Sequence, residues 1–398
     1  MSEPTSTSHL HGSRAGDPVA AAQRLTPLIR AHADETERDR RLAAPVVEAL
    51  RAAGLLSLGL PASLGGPETP VAPALRAIEE ISYADGATGW NAMIAFDTGL
   101  LAGFLSAPAA RALLSSISLP VVAGSIQPPG RLQRTAGGYR LSGRWRFGSG
   151  CQQADVVVVS AILYDGETPV VGANGTPELR QITLRAADVE IVDTWHVTGL
   201  RGTGSHDFKA EHLLVGEGFV APFNFDVPME RGPLYAFPLV GNLAVAKTAV
   251  ALGIARHAIT SLIELAQAKT ATHHTSLLRE RSAVQSDLAR AEACVRSASC
   301  FMYATVDEVW TSVVAGNPAT TEQRAMLRLA AVDGVQRCVE AVDLMYNAAG
   351  ATAIFESSPL ERCFRDVHVV PAHFVVQPSV YEVAGRVFLN LPPGTPLF

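Results

Sequence analysis

The chain has no C-x-x-C, and its five cysteines, at positions 151, 294, 300, 338 and 363, are odd in number and widely spread. That spacing indicates neither a disulfide framework nor a cysteine zinc site, and predicts reduced, buried thiols in a cytoplasmic protein. No H-E-x-x-H occurs, and the adjacent His273-His274 would point different ways on a helix or strand, so no metal site is expected. No G-x-G-x-x-G follows a strand-like run, and there is no P-loop, which argues against a nucleotide in a Rossmann or Walker site. Without G-x-S-x-G, Ser149 is not a hydrolase elbow. An excess of positive charge is missing too. The net charge of −6 leaves no footprint for nucleic acid. Long clean apolar runs are also lacking: Asp97 interrupts 90–105, and Lys247 and Arg256 interrupt 241–268, so no membrane span is expected. Residues 1–16 are polar, with no apolar core of a secretory signal, and are expected to form a disordered tail.

What is present is 398 residues with 48% hydrophobic content, enough for a large core divided among two or three domains. Residues 17–118 carry apolar positions at three- and four-residue spacing, which predicts a helical domain. Pro45 is expected to split its first helical stretch and Pro108 to open its last. From 119 to 230 short β-rich runs alternate with turn residues, which predicts a sandwich or barrel. From 231 to 398 long helical patterns return over 241–270, 276–315 and 320–349. Shorter ones come after them over 359–370 and 379–389, together predicting a C-terminal four-helix bundle. The expected class is α+β.

Three texts stand out in this frame. The first is Trp145-Arg146-Phe147-Gly148-Ser149-Gly150-Cys151. Alone it reads equally as a bulged β-hairpin. The second runs from Asp193-Thr194-Trp195-His196 through Gly199-Leu200-Arg201-Gly202-Thr203-Gly204-Ser205, and the third is Arg362-Cys363-Phe364-Arg365-Asp366-Val367-His368, with His373 after it. Each is weak by itself. In this order and at these separations, with helices, strands and helices around them, they resemble the acyl-CoA dehydrogenase superfamily. The details are similar to its two-component flavin-dependent (group D) monooxygenase branch, which includes the oxygenase component of 4-hydroxyphenylacetate hydroxylase and dibenzothiophene monooxygenase.

The resemblance implies an oxygenase component that takes reduced FMN or FAD from a separate NAD(P)H-dependent reductase. It reacts that flavin with O2 and oxygenates an aromatic, polycyclic or amine substrate while shielding a flavin hydroperoxide from water. It implies a homo-oligomer, a dimer or a homotetramer. Ser149 and His373 match the branch's polar contacts and are the expected catalytic residues. Ser149 also reads as a turn hydroxyl bonding local backbone, and His368 is the rival histidine. Trp145 and Trp195 are expected to flank the flavin ring, with Arg201, Thr203 and Ser205 at its polar edge. Arg281 and Gln285, four apart on a predicted helix, share a face; in the family such a pair reaches the flavin, often a neighbouring subunit's. Arg365 is a further phosphate candidate, its other reading being a salt bridge with Asp366 or Glu361. Phenol-hydroxylating members carry a histidine shortly after G-(S/A)-T-G-W. Here Gly86-Ala87-Thr88-Gly89-Trp90 is followed by Phe96-Asp97-Thr98, so Trp90 and Asp97 are candidate substrate contacts instead. The alternative is an acyl-CoA dehydrogenase with Glu382, after Tyr381, as the base.

Overall fold

The computed structural model describes residues 16–114, 117–172, 175–223, 227–270, 276–395 and 397–398. The tail expected over 1–16 lies outside them except for Gly16, as do Asn174 and His273-His274.

Six helices lead. α1 (Pro18–Ala31), α2 (Ala33–Asp39) and α3 (Ala44–Ala52) replace one long helical stretch, with Pro45 in the first turn of α3. α4 (Val71–Ala84) and α5 (Gly86–Leu100) come next, then α6 (Ala107–Leu114). The start of α5 is fixed by Asp85, whose carboxylate accepts the Thr88 N–H at 2.8 Å, satisfying one of the donors a helix leaves free at its N-terminus. Almost every residue of α5 is buried, Asp97 included.

The middle of the chain forms one eight-stranded mixed sheet. Its strands are β1 (Val122–Thr135), β2 (Gly138–Gly148), β3 (Val156–Asp165), β4 (Thr168–Pro169), β5 (Leu179–Arg185), β6 (Glu190–Val192), β7 (His206–Val215) and β8 (Val220–Pro222). The path is β6-β7-β2-β1-β3-β5-β8, with β4 beside β3. β1 and β3 run parallel and the other pairs antiparallel. Regular pairing is interrupted near the middle of the sheet. The β1–β3 register shifts between Ser125 and Gly130, and the β2–β7 register shifts between Trp145 and Gly148.

Six helices close the chain: α7 (Pro233–Ala236), α8 (Leu239–Ala268), α9 (Ser282–Val314), α10 (Thr321–Ala349), α11 (Pro359–Val369) and α12 (Val380–Phe388). α8, α9 and α10 pack on one another as the bundle, and α8 also lies against α4 and α5. α10 begins with a capping box: Thr320 Oγ1 accepts the Gln323 N–H while Gln323 Oε1 accepts the Thr320 N–H. α9 begins later than its apolar pattern predicts. Leu278–Glu280 forms a 3-10 turn instead, and Arg281 (φ −84°, ψ 124°) is the extended cap residue before the helix. α8 is long and apolar enough to cross a membrane by length and composition, yet 61% of its most apolar window is buried inside the fold.

Candidate active site

A cavity of about 380 Å³ lies where α5, α8, the sheet and the turn after α11 meet. Its wall is mostly apolar: Trp90, Ile94 and Leu101 from the N-terminal helices, Ile126 and Val158 from the sheet, Leu239 and Leu243 from α8. Volume and lining suit a small-molecule site with a few placed polar groups.

The sheet irregularities supply one side. Across the β2–β7 shift, Arg146 and Phe147 together face the single residue Asp207. This bulge breaks the strict in–out alternation of a strand. Trp145, before it, points into the sheet core, where it is fully buried and donates from Nε1 to the Ser160 carbonyl at 2.7 Å. Gly130 and Gly143 make room for its ring, since a Cβ on either would stand 2.6 or 2.7 Å from Cζ2. Trp145 therefore does not wall the cavity, and the expectation that it flanks a flavin is corrected. Phe147, after it, takes the left-handed conformation (φ 62°), is 65% exposed and meets Trp195 edge-to-face at 6.3 Å. Phe147 and Trp195 both line the cavity.

Ser149 lies just past the bulge. Its Oγ accepts the Trp90 Nε1–H at 3.1 Å and lies 2.6 Å from Ser205 Oγ. Ser205 Oγ lies 2.6 Å from Thr203 Oγ1, which donates to the Leu200 carbonyl at 2.8 Å. Each hydroxyl has one proton. Because Thr203 gives its proton to Leu200, Ser205 gives its own to Thr203, and Ser149 gives its own to Ser205. What Ser149 has left for the cavity is an acceptor lone pair. Trp90 ties this chain to His373, whose ring stands edge-on to it at 6.0 Å. The His373 Nδ1 accepts the Val375 N–H at 3.4 Å, which leaves the proton on Nε2. Burial, with the Lys247 charge added, holds the His373 pKa well below the ordinary value. His373 is thus a neutral imidazole with a donor, and Ser149 an acceptor.

Asp97 also borders the cavity, in an ion pair that the sequence did not predict. Its Oδ2 lies 2.5 Å from Lys247 Nζ on α8, and both residues are almost wholly buried. Burial pushes the Asp97 carboxyl up to about 6 against the pull of Lys247.

The remaining candidates are elsewhere. Arg365 is committed to Glu361, Glu37 and the Thr198 carbonyl, so its salt-bridge reading holds and a phosphate role is corrected. Its neighbour Asp366 accepts the Leu200 N–H at 2.5 Å. The Arg-Asp text is therefore a clamp on the loop that carries Thr203 and Ser205. Arg201, on that loop, does not border the cavity, and its Nε is buried without a partner. Arg281 and Gln285 lie at the start of α9 and border no part of it. His368 is 40% exposed on its side chain and paired with Asp343, leaving His373 as the cavity histidine. Glu382 is exposed on α12 and does not reach the cavity, which removes the base of the dehydrogenase alternative. Burial drives the Cys151 thiol up to about 12, so it packs rather than reacts.

Sequence reasoning missed both cationic residues on the cavity, and Phe147 beside one of them. Arg146 sits within the Trp145–Cys151 text, and its guanidinium has no ion-pair partner among the described residues. Lys247 reads from sequence only as a break in an apolar helix; a lone cation amid such a run was the signal. The cavity fits a flavin on what it leaves unspent: an exposed aromatic in a left-handed conformation, one acceptor lone pair each on Thr203 and Ser205, and a guanidinium without an ion-pair partner among the described residues.

The chain matches the family descriptions "Acyl-CoA dehydrogenase, N-terminal domain" over 20–108 and "Acyl-CoA dehydrogenase, C-terminal domain" over 245–378. It is 31% identical to an indole-3-acetate monooxygenase of Pseudomonas putida, across 92% of this chain and 91% of that one. It is 27% identical to the flavin-dependent monooxygenase oxygenase subunit HsaA of Rhodococcus jostii, across 92% and 97%. The crystal structure of the 3-HSA hydroxylase from Rhodococcus sp. RHA1 superposes with a TM-score of 0.88 at 25% identity, covering 96% of this chain and all of that one. With sequence, fold and cavity in agreement, the chain belongs to the reduced-flavin-dependent monooxygenases built on the acyl-CoA dehydrogenase fold, as an oxygenase component acting on aromatic or polycyclic substrates.

Proposed function

We propose that the substrate is a flat aromatic of about indole size, oxygenated in the cavity between Ser149 and His373. The ordered row from Trp90 through Ser149, Ser205 and Thr203 to Leu200 is the observation that carries this reading. Bound reduced flavin, FMN or FAD, supplies the electrons with which O2 is split, one oxygen atom going to substrate and the other to water. The protein's part is positional. When flavin is bound, Thr203 and Ser205 would meet its polar edge, Phe147 and Trp195 would pack against it, and Arg146 would take a phosphate. His373 would offer its Nε2–H, and Ser149 a lone pair, to groups bound in the cavity. The apolar wall keeps water out, which favours oxygen transfer over loss of peroxide.

The flavin arrives reduced from a separate NAD(P)H-dependent reductase, a partner the family implies, and the protein works in the cytoplasm, in keeping with five free cysteines. Its assembly is a homotetramer of two dimers. Arg281 and Gln285, on the surface and away from this cavity, then serve the flavin of a neighbouring subunit. The test is anaerobic mixing of protein, photoreduced FMN or FAD and indole, with oxygen added afterwards. A mass increase of one oxygen atom in the indole product, dependent on the protein, is expected. Flavin reoxidation with only hydrogen peroxide formed, for indole and for larger aromatics alike, would overturn the reading.

A further inference from the structure

The mostly apolar cavity wall holds one buried charged pair, and the two members are not equally satisfied. Asp97 Oδ2 accepts from Lys247 and Asp97 Oδ1 faces the Asn242 Nδ2 at 3.4 Å. The carboxylate is engaged on both oxygens. An ammonium has three N–H donors, and Lys247 spends one on Asp97, with no other partner among the described residues. Its side chain is 2% exposed, so water from bulk does not answer for the other two. What Lys247 lacks is an acceptor. A neutral hydroxyl would bring a donor that Asp97 has little room to receive, whereas a carboxylate brings only acceptors.

We propose that Lys247 is the specificity-determining residue of the cavity, binding a carboxylate carried on the aromatic substrate, and that Asp97 takes up one proton from solvent as that carboxylate enters. This rests on the reading that the cavity receives substrate. The charge balance requires the proton. Lysine and aspartate alone sum to zero, and an added anion leaves one buried negative charge uncompensated unless Asp97 becomes neutral. Asp97 is already pushed toward its neutral form by burial. The other titratable or charged groups on the wall are His373, held neutral, and Arg146 at the exposed end, so neither replaces Asp97 as the proton acceptor.

Equilibrium binding tests this without turnover, so it is separate from the test of oxygenation. Indole-3-acetate and its uncharged isostere indole-3-acetamide are titrated into the protein. The acid is expected to bind about tenfold or more tightly than the amide near pH 7, as for a charge-assisted hydrogen bond in a dry site. Its affinity is expected to fall between about pH 6.5 and 8.5 while that of the amide stays flat, and its binding heat in buffers of different ionisation enthalpy reports uptake approaching one proton. Lys247→Met removes the preference for the acid. Asp97→Asn keeps or strengthens acid binding and abolishes its pH dependence, and it serves if the first variant does not fold. Equal binding of acid and amide, no proton uptake, or no binding of the acid at all overturns the proposal, whether or not the protein oxygenates indole.

Discussion

The direction of the hydroxyl row matters more than its membership. Because Thr203 donates to Leu200, Ser149 reaches the cavity as an acceptor, while His373, buried and neutral, reaches it as a donor. The two are not interchangeable, and each is expected to fail in its own way. Ser149→Ala removes the acceptor and leaves the Trp90 N–H unpaired; His373→Ala removes the donor and the ring edge against Trp90. Each is expected to cut oxygen transfer by about 100-fold, the scale of a single positioned polar group. Flavin affinity should stay within a few-fold and hydrogen peroxide should appear in place of product. Stopped-flow reoxidation with product analysis checks this, and unchanged product yield in either variant removes that residue from the mechanism. At this scale the sequence was legible where a text carried the residue: Ser149, Thr203, Ser205, Trp195 and His373 all stand on the cavity. It misled at Trp145, because a one-residue bulge reverses which side of a strand faces inward, and the seven residues Trp145–Cys151 do not show that reversal. It was silent on Lys247, because a salt bridge between α5 and α8 spans 150 positions of sequence.

Among the elements, α11 does the least visible work. Its Arg365 and Asp366 hold the 198–200 backbone, and Gly199 permits the approach: a Cβ there would stand 2.2 Å from the Arg365 carbonyl oxygen. Leu200 is held left-handed (φ 51°), a conformation that costs about 1–2 kcal/mol for a residue with a Cβ. The Asp366 contact to its N–H helps fix it. Burial, with the charge of Asp85 added, pushes the Asp366 carboxyl up to about 7 from an ordinary 3.8. A raised carboxyl means that the folded state holds a proton the unfolded state has lost. This contribution to stability is complete below about pH 4 and is lost as pH rises through about 7. Asp366→Asn keeps an oxygen for Leu200 and does not titrate. Its thermal stability should therefore gain on the wild type between pH 5 and 8, by on the order of 1–2 kcal/mol. A constant difference in melting temperature across that range would refute the raised carboxyl. The helices of the bundle were legible from apolar period and from caps such as Thr320 and Gln323. The start of α9 was not, because a 3-10 turn at Leu278–Glu280 satisfies the same apolar pattern.

For the whole molecule, the order of helices, sheet and helices emerged from apolar spacing, since the middle segment alone leaves the helical period. The single mixed sheet with two edges, β6 and β8, was not distinguishable from a sandwich, because strand order depends on pairings that turn residues do not encode. The proposed tetramer belongs to this scale as well. α12 and the chain after it leave the large apolar side chains of Tyr381, Phe388, Leu389 and Leu391 exposed. Light scattering is expected to give four times the 42.0 kDa chain mass, and a monomeric mass at micromolar concentration would end that reading together with the shared role of Arg281 and Gln285.

The clamp between α11 and the 198–205 loop has a consequence for recombination. Leu200 donates to Asp366, 166 positions away, and Thr198 accepts from Arg365. A chimera that takes the loop from one relative and α11 from another splits a single mechanical part in two. Family shuffling across a crossover between 205 and 361 should therefore yield soluble proteins in which the 198–205 loop is slack and oxygen-transfer yield falls. Libraries that inherit both segments from one parent should keep their oxygen-transfer yield.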